Sequence, residues 1–258
     1  MLSKAKIKLV RSLEYRKYRC EHRLFVAEGD KTVREMLLSP LSVACLLARE
    51  EWIDALPDIL RSKADETWGV SEKELSQISF LKTAHQALAL VRIPEYTPDT
   101  EEITSGLSLY LDGVQDPGNL GTIIRIADWF GIRHVFCGEG CADTFAPKTV
   151  QSTMGAIIRV KTYPANTALL GRLHDAYPEY PVYGTFPEGD NIYLSKLPSK
   201  AMIVAGNESR GISRETATFA DKRISIPSWP EGEATSESLN VATATAIVCS
   251  EFRRQRYK

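Results

Sequence analysis

From residue 107 to the end of the sequence, short continuous apolar runs alternate with segments of helical spacing. The runs LSLYLD (107–112) and AMIVAG (201–206) are typical of buried parallel strands, and LGTIIRIADWFG (120–131) has the spacing of a helix. Strands that alternate with helices predict an α/β fold with a largely parallel sheet and helices on both of its faces. Because ligands of such folds bind where the strands end, the loops that follow the strands are the candidate sites.

The same alternation extends over the rest of this region. Further strands are predicted at 132–137, 157–163, 181–186 and 223–227, and further helices at 148–156 and 238–256. These elements fill residues 107–258, which we therefore predict to form one domain.

Residues 1–95 have the pattern of a separate, small α/β domain. Its predicted strands lie at 24–29, 41–48 and 87–94, and its predicted helices lie at 7–23, 31–39 and 71–79. The third of these helices begins after Ser71, with Glu74 at the spacing of a capping box. The stretch at 94–106 contains two prolines, four acidic residues and a terminal glycine, so residues 96–106 are predicted to be a linker.

The formal net charge of −1 conceals an uneven distribution. Residues 1–34 contain 10 Lys or Arg against 4 Asp or Glu, whereas residues 35–106 contain 6 against 13. The basic excess is either the solvated face of a helix or a surface that contacts nucleic-acid phosphates. The candidate phosphate-contacting residues are Arg11, Arg16, Lys17, Arg19 and Arg23.

Several classes of protein lack support in this sequence. No apolar run approaches the length that crosses a bilayer, and the basic N-terminus lacks the apolar core of a secretion signal. The five cysteines are scattered and odd in number, which favours reduced thiols and a cytoplasmic location. The sequence has no G-x-G-x-x-G, Walker or G-x-S-x-G motif, and Cys137 and Cys141 have no second pair at zinc-ligand spacing, so no metal is expected.

The first candidate site follows the strand at 107–112. Pro117-Gly118-Asn119 indicates a turn, and Asn119 is a candidate N-cap of the helix that follows. A cap does not explain Arg125, which lies among apolar residues of that helix. We expect its guanidinium either to be a buried tether or to point into a site.

The second and third candidate sites follow the strands at 201–206 and 223–227. The segment GNESRG (206–211) begins and ends with glycine. It is either a loop whose backbone amides are open to a ligand or a simple strand-to-helix turn. After Pro227 comes a polar loop that ends in Ser238-Leu239-Asn240, where Ser238 or Asn240 can cap the last helix.

Taken in order, these three segments resemble the motifs of the SpoU–TrmH family of RNA 2′-O-ribose methyltransferases. The first motif is matched by Asn119, Gly121 and Arg125, the second by Gly206, Asn207, Glu208 and Gly211, and the third by Ile226, Pro227, Ser238, Leu239, Asn240 and Val241. The stretch PKTVQSTMGA (147–156) is similar to the family's Lys…Ser-x-Gly-Ala stretch, and the resemblance covers 107–258.

The resemblance implies a SPOUT-type α/β domain with a parallel sheet and a deep trefoil knot at its C-terminal end. The segment before it is more loosely similar to the RNA substrate-binding domain of such enzymes, which resembles a ribosomal-protein fold. The implied cofactor is S-adenosylmethionine, and relatives are homodimers whose sites are completed across the interface. The implied cofactor-binding residues are Gly206, Asn207, Gly211, Ile226, Pro227, Ser238, Leu239 and Asn240.

The implied reaction is methyl transfer from S-adenosylmethionine to a ribose 2′-hydroxyl of structured RNA. The resemblance gives the catalytic roles to Arg125, Asn119 and Glu208. The family's role for Arg125 is that of the general base. Because an ordinary arginine is a poor base, the alternative is that Arg125 clamps the adjacent phosphate. Ribosomal RNA is favoured, since transfer-RNA relatives often lack the N-terminal domain. A transfer-RNA ribose methyltransferase and an inactive RNA-binding protein of the same fold are the alternatives.

The sequence departs from the family pattern at two places. The loop at 228–237 is longer and more acidic than usual, which is expected to alter the rim of the cofactor pocket. Position 151 is Gln where many relatives carry Arg, so the RNA contact that an arginine makes in those relatives is not expected here.

Overall fold

The computed structural model describes residues 2–230, 233 and 236–256. The chain folds into two compact units, of which the first comprises residues 1–95 with 143–158 and the second residues 96–142 with 159–258. The sequence pattern assigned 143–158 to the C-terminal domain. In the fold, the apolar side chains of Val150 and Ile157 are instead part of the core of the first unit, where Phe145 also packs against Phe25.

The first unit is an α/β fold around a mixed sheet. Its elements are α1 (Lys4–Ser12), α2 (Arg16–His22), β1 (Leu24–Glu28), α3 (Asp30–Leu38), β2 (Val43–Ala48), α4 (Glu50–Asp54), α5 (Asp58–Arg61), β3 (Ala64–Gly69), α6 (Glu72–Ile78), β4 (Ala87–Arg92), α9 (Pro147–Thr153) and a 3₁₀ turn (Ala156–Ile158). The strand order is β1-β4-β2-β3, in which β2 and β3 are parallel and the other pairs are antiparallel.

The local structure of the first unit follows much of the sequence pattern, although helices α4 and α5 were not predicted. The capping box is confirmed, because Ser71 Oγ accepts from the Glu74 backbone N–H and the Glu74 carboxylate accepts from the Ser71 N–H at 2.9 Å. The helix expected at 7–23 is two helices. Strand β3 was not predicted, since its sequence ADETWG is polar and most of its side chains are exposed at the edge of the sheet.

The second unit contains the predicted parallel sheet. Its elements are α7 (Thr100–Thr104), β5 (Leu107–Leu111), α8 (Pro117–Trp129), β6 (His134–Cys137), β7 (Lys161–Pro164), α10 (Ala168–Ala176), β8 (Val182–Asn191), β9 (Ala201–Ala205), α11 (Arg214–Ala217), β10 (Lys222–Ser225) and α12 (Val241–Arg254). The strand order is β10-β8-β9-β5-β6-β7, and every neighbouring pair is parallel. The prediction of an α/β fold with a parallel sheet is therefore confirmed.

Two predicted elements of this unit have different bounds in the structure. The strand expected at 157–163 begins only at Lys161, because the residues before it form the 3₁₀ turn that packs in the first unit. The predicted linker contains α7, whose Ile103 is fully buried in the core of the second unit. No helix in the described part of the chain is long and apolar enough to cross a membrane.

The parallel sheet determines where loops meet. Since β9, β5, β6 and β7 are neighbours that run in the same direction, the loops after them lie at the same edge of the sheet. Helix α8, which follows the loop after β5, packs against the final helix α12. The segments that carried the three candidate sites thus lie on adjacent elements.

Candidate active site

The loop after β9 is held in one conformation by its own backbone and by Asn207. The N–H groups of Asn207 and Gly211 each donate to the other residue's carbonyl at 2.9 Å. The Asn207 side-chain oxygen accepts from the backbone N–H of Ser209 and of Arg210 at 3.0 Å. Gly211 has a φ of +67°, which a residue with a side chain rarely adopts. This loop is preorganised rather than open.

Gly206, at the start of this loop, is packed against the loop's far end. A Cβ atom at Gly206 would lie 2.3 Å from the Gly211 carbonyl carbon and 2.4 Å from the Ile212 nitrogen. Both are backbone atoms, so any side chain at this position must displace the loop. The close approach explains why glycine stands here, because the chain turns tightly back on itself at this point.

The loops after β5 and β9 are joined by hydrogen bonds. Asn207 Nδ2 donates to the Gly113 carbonyl at 2.7 Å, and Gly113 has a φ of +71°. The Asp112 carboxylate accepts from the Ser213 N–H at 2.7 Å. The first and second motif segments therefore form one rigid structure at the edge of the sheet.

The polar centre of this structure is a hydrogen-bonded cluster that we call the Asn119 cluster, made of Asn119, Glu208 and Asn240. Asn119 Nδ2 donates to Glu208 Oε1 at 3.0 Å, across 89 positions of sequence. Asn240 Nδ2 donates to Asn119 Oδ1, also at 3.0 Å, across 121 positions. Each of the three sequence motifs contributes one residue to this cluster.

The capping of α8 and α12 leaves the side-chain amides of Asn119 and Asn240 available to the cluster. Asn119 was a candidate N-cap, but α8 begins two residues earlier and is capped by Asp116, whose carboxylate accepts from the Asn119 N–H at 2.8 Å. The amide of Asn119 is therefore free to join the cluster. Asn240 does cap α12, through its oxygen, and donates to Asn119 with its nitrogen. One residue thus fixes both the last helix and the cluster.

The cluster can orient a polar substrate group. The carboxylate of half-buried Glu208 accepts one hydrogen bond from Asn119, and its remaining lone pairs are available to a hydroxyl or a cation. Because Asn240 holds the oxygen of Asn119, the amide of Asn119 has a fixed direction. Preorganised groups of this kind position a nucleophile without being rearranged when it reacts.

Arg125 is not brought to this cluster within one chain. It follows Asn119 by six residues on α8, which at 100° per residue places the two on different faces of the helix. Its side chain is exposed and makes no hydrogen bond or ion pair with the described residues. The interpretation of Arg125 as a buried tether is therefore wrong. On the same face, Trp129 is 84% exposed.

Four further predicted cofactor residues, Ile226, Pro227, Ser238 and Leu239, make no hydrogen bond with the cluster among the described residues. Ile226 and Pro227 follow β10 directly, and Ser238 and Leu239 are exposed just before α12. Within the loop predicted to alter the pocket rim, residues 231, 232, 234 and 235 lie outside the described residues.

Arg19 is a structural residue of the first unit, and its assignment as an RNA contact is wrong. Its side chain is 3% exposed and forms an ion pair with Asp143 at 2.7 Å. It also donates to the backbone carbonyls of Leu13 and Glu14, both at 2.7 Å. These two residues lie in the connection between α1 and α2. A guanidinium enclosed in this way holds the α1–α2 connection and cannot reach a phosphate.

The other basic candidates differ in how free they are. Arg11 donates to the Ser79 carbonyl at 2.8 Å and lies over the Phe80 ring, and Arg23 forms an ion pair with Glu95 at 2.6 Å. Arg16 and Lys17 are exposed, and Arg16 is only at the limit of an ion pair with Asp143, at 4.0 Å. The two consecutive residues at the start of α2 are thus the most available for a phosphate.

Sequence reasoning missed three residues that build the site. Asp112, Gly113 and Asp116 hold the loops together through the contacts given above. The available signal was their position, since Asp-Gly directly after an apolar strand and Asp before Pro-Gly are strong turn and cap patterns.

Comparison with known proteins agrees with this geometry. The SpoU rRNA methylase family profile matches residues 106–250, and the MRM3-like substrate binding domain profile matches residues 4–89. A 23S rRNA guanosine 2′-O-methyltransferase of Bacillus subtilis is 32% identical over 96% of both chains. An AdoMet-bound rRNA methyltransferase of Sinorhizobium meliloti superposes with a TM-score of 0.87 at 28% identity, covering 100% of this chain and 97% of that one. A Porphyromonas gingivalis protein assigned to the TrmH family of RNA methyltransferases gives 0.86 at 43% identity, covering 99% of both.

Proposed function

Because the chain belongs to the SpoU rRNA methylase family, we propose that it transfers a methyl group from S-adenosylmethionine to a ribose 2′-hydroxyl of ribosomal RNA. The observation that carries the proposal is the Asn119 cluster. Its three side chains come from three distant segments and are joined by hydrogen bonds at 3.0 Å. An RNA-binding protein of this fold without activity has no need to keep such a cluster.

The cofactor is proposed to lie against the loops of the second and third motifs. S-adenosylmethionine supplies the methyl group from its sulfonium sulfur. The residues present fit this ligand, since half-buried Ile226 offers apolar cover for a purine and the loop after β9 is fixed by its own backbone hydrogen bonds. We assign cofactor binding to Gly206, Asn207, Gly211, Ile226, Pro227, Ser238, Leu239 and Asn240. The deep trefoil knot remains part of the proposal.

The chain's own part in the reaction is to position the 2′-hydroxyl and to assist the departure of its proton. We assign the positioning to Asn119 and Glu208, whose polar atoms are fixed by the cluster. Arg125 is free to act either as the base or as a clamp on the adjacent phosphate, because it has no partner among the described residues. A guanidinium that clamps a phosphate also stabilises the developing alkoxide.

The protein is proposed to be a homodimer in which Arg125 acts on the partner's site. This follows from the different faces of α8 occupied by Asn119 and Arg125. The face with Arg125 also carries the exposed Trp129, a large apolar surface that a partner subunit would cover. Leu239, which is 46% exposed beside the cluster, fits the same interface.

The first unit is proposed to provide affinity for RNA. Its profile match is to a substrate-binding domain, and Arg16 and Lys17 are exposed on one short helix. Arg11 and Arg23 contribute to RNA affinity through those guanidinium N–H groups that do not bond to Ser79 or Glu95. Counterion release from these contacts would make binding fall steeply with salt. The expected location is the cytoplasm, where ribosomal RNA is available, and no metal is required by the assigned residues.

Two measurements test the function. The purified protein should bind labelled S-adenosylmethionine, with ATP and NAD as controls that do not compete. Ribose methylation should then be mapped in ribosomal and transfer RNA from cells with and without the gene. Loss of a ribosomal ribose methyl group is expected. Loss of a transfer-RNA methyl group would favour the transfer-RNA alternative, and no loss in either RNA would indicate the inactive RNA-binding protein.

A further inference from the structure

A cavity lies at the same edge of the parallel sheet as the loops after β5 and β9. Its volume is about 360 Å³, and residues from the loops after β5, β6, β7 and β9 line it. Neither Asn119 nor Glu208 nor Asn240 is among its lining residues. The cavity is therefore distinct from the Asn119 cluster, and it shares Asn207 and Gly211 with the residues assigned to the cofactor.

The cavity is lined by more negative than positive charge. Asp112, Glu139 and Glu215 line it, whereas Arg210 is its one basic lining residue. Asp112 accepts a hydrogen bond from Ser213, and Glu215 accepts one from the Thr167 hydroxyl. Glu139 makes no hydrogen bond or ion pair with the described residues. The carboxylate oxygens that line this cavity can therefore accept more hydrogen bonds than the protein's own donors provide.

Tyr110 gives independent evidence for a ligand. Its side chain is 1% exposed, yet it lines the cavity, and its hydroxyl has no hydrogen-bond partner in the described part of the chain. Burial, reinforced by the negative charge of Asp112, Glu215 and Glu139, raises the pKa of Tyr110 to about 12. The hydroxyl of a buried tyrosine normally finds a partner, and Tyr110 lines the cavity.

The arrangement of the acceptors restricts the ligand's chemistry. Among the described residues, no three His, Cys, Asp or Glu side chains are close enough together to share a metal ion. The carboxylates come from the loops after β5 and β6 and from helix α11, and they line the cavity without converging on one point. A phosphate or carboxylate ligand would be repelled by their charge. An extended organic cation with several N–H donors can meet each acceptor separately.

We propose that this cavity binds a small aliphatic polyamine, whose ammonium groups donate to Asp112, Glu139, Glu215 and the Tyr110 hydroxyl. The ligand is held by charge and by directed N–H donors together. Spermidine binding is measured directly and not through methyl transfer, so the proposal stands or fails separately from the proposed function.

The test is calorimetric titration of the full-length protein with spermidine at low salt. Glu139→Gln and Glu215→Gln should each weaken binding by about fivefold or more, since each removes one charge-assisted acceptor. Tyr110→Phe should weaken it by about threefold. Arg210→Ala should strengthen it, because a like charge is removed. Asp175→Asn, which removes an exposed carboxylate of the same unit outside the cavity, should leave the affinity unchanged.

Two further probes separate directed binding from general attraction. Tetramethylammonium carries the charge but no N–H donor and should bind far more weakly than spermidine. N-acetyl-lysine amide presents a lysine side chain, and tighter binding of this probe than of spermidine would assign the cavity to a protein partner and overturn the proposal. Absence of spermidine binding, equal binding of tetramethylammonium, or unchanged affinity in both Glu→Gln variants would also overturn it. Thermal melting of each variant shows that it is folded.

Discussion

The two units use their polar side chains in opposite ways. The second unit gathers Asn119, Glu208 and Asn240 at one edge of its sheet and joins them by hydrogen bonds, with Glu208 as their one charge. In the first unit, part of the positive charge stabilises the fold itself, because the guanidinium of Arg19 is enclosed by α1, α2 and Asp143. The difference indicates a fixed arrangement for chemistry in one unit and an exposed, adjustable charge for affinity in the other.

The largest effect is expected from Arg125→Ala. If Arg125 acts on the ribose or its phosphate, the variant should lose roughly 100-fold or more of kcat while its affinity for S-adenosylmethionine stays within a few-fold. Arg125→Lys separates the two roles, since lysine keeps the charge but loses the planar fork. A phosphate clamp leaves partial activity in the lysine variant, and a base leaves almost none.

The control for Arg125 is Arg172→Ala, because Arg172 is an exposed arginine on α10 in the same unit. It should methylate at the normal rate. A normal rate for Arg125→Ala as well would show that the exposed arginine has no part in the reaction.

The next effect concerns the tight loop of the second unit. Gly206→Val must push the backbone at Gly211 and Ile212 away, so cofactor affinity should fall by about tenfold or more, with a loss of about 2–4 kcal/mol of folding free energy. Gly106→Ala is the matched control, since a Cβ at Gly106 meets no atom within 4 Å. Equilibrium dialysis and urea unfolding measure the two quantities. Unaltered cofactor affinity in folded Gly206→Val would place the pocket elsewhere.

A third experiment sharpens the contrast within the first unit. Arg19→Ala leaves Asp143 without its buried partner and should cost about 3 kcal/mol of stability. Arg16→Ala combined with Lys17→Ala should leave stability almost unchanged, weaken RNA binding several-fold and reduce its dependence on salt. Filter binding at several salt concentrations and urea unfolding give the readouts. The account would be contradicted if Arg19→Ala and the double variant lost RNA affinity equally and Arg19→Ala lost no stability, because Arg19 would then contact RNA and not hold the fold.

The smallest effect is a pH dependence in the first unit. The backbone N–H groups of Ser71 and Leu2 donate to Glu74 and lower the pKa of this carboxyl to about 2, from an ordinary value of 4.5. Since the folded pKa is depressed, Glu74 stabilises the fold above pH 4.5, and this contribution is lost as the pH falls towards 2. The difference in urea midpoint between wild type and Glu74→Gln should shrink over that range. Glu21→Gln, at an exposed position, should show no such trend.

The parallel sheet of the second unit could be predicted because its central strands β9, β5 and β6 are mainly apolar runs that are fully buried. The cap at Ser71 was equally readable. Strand β3 could not be found, since an exposed edge strand needs no apolar pattern. The membership of 143–158 in the first unit also gave no signal, because a helix's apolar face does not specify which core it enters.

The candidate site was predictable where motifs name polar residues in turns. Asn119, Glu208 and Asn240 were singled out for this reason, and the structure joins them. The burial of Arg19 was not predictable, because a basic run says nothing about which side chain turns inward. Nor could the sequence reveal that Arg125 faces outward, since its apolar neighbours suggested an enclosed position.

The central claim is that the Asn119 cluster directs a methyl group to a ribose 2′-hydroxyl. Purified protein should be incubated with ribosomal RNA and S-adenosylmethionine labelled in its methyl group, and the RNA then hydrolysed with alkali. A 2′-O-methyl group blocks attack of that oxygen on the neighbouring phosphate, so we expect the label in an alkali-resistant dinucleotide, and its loss with Asn119→Ala. Label in single nucleotides, or an unlabelled RNA despite normal cofactor binding, would contradict the claim.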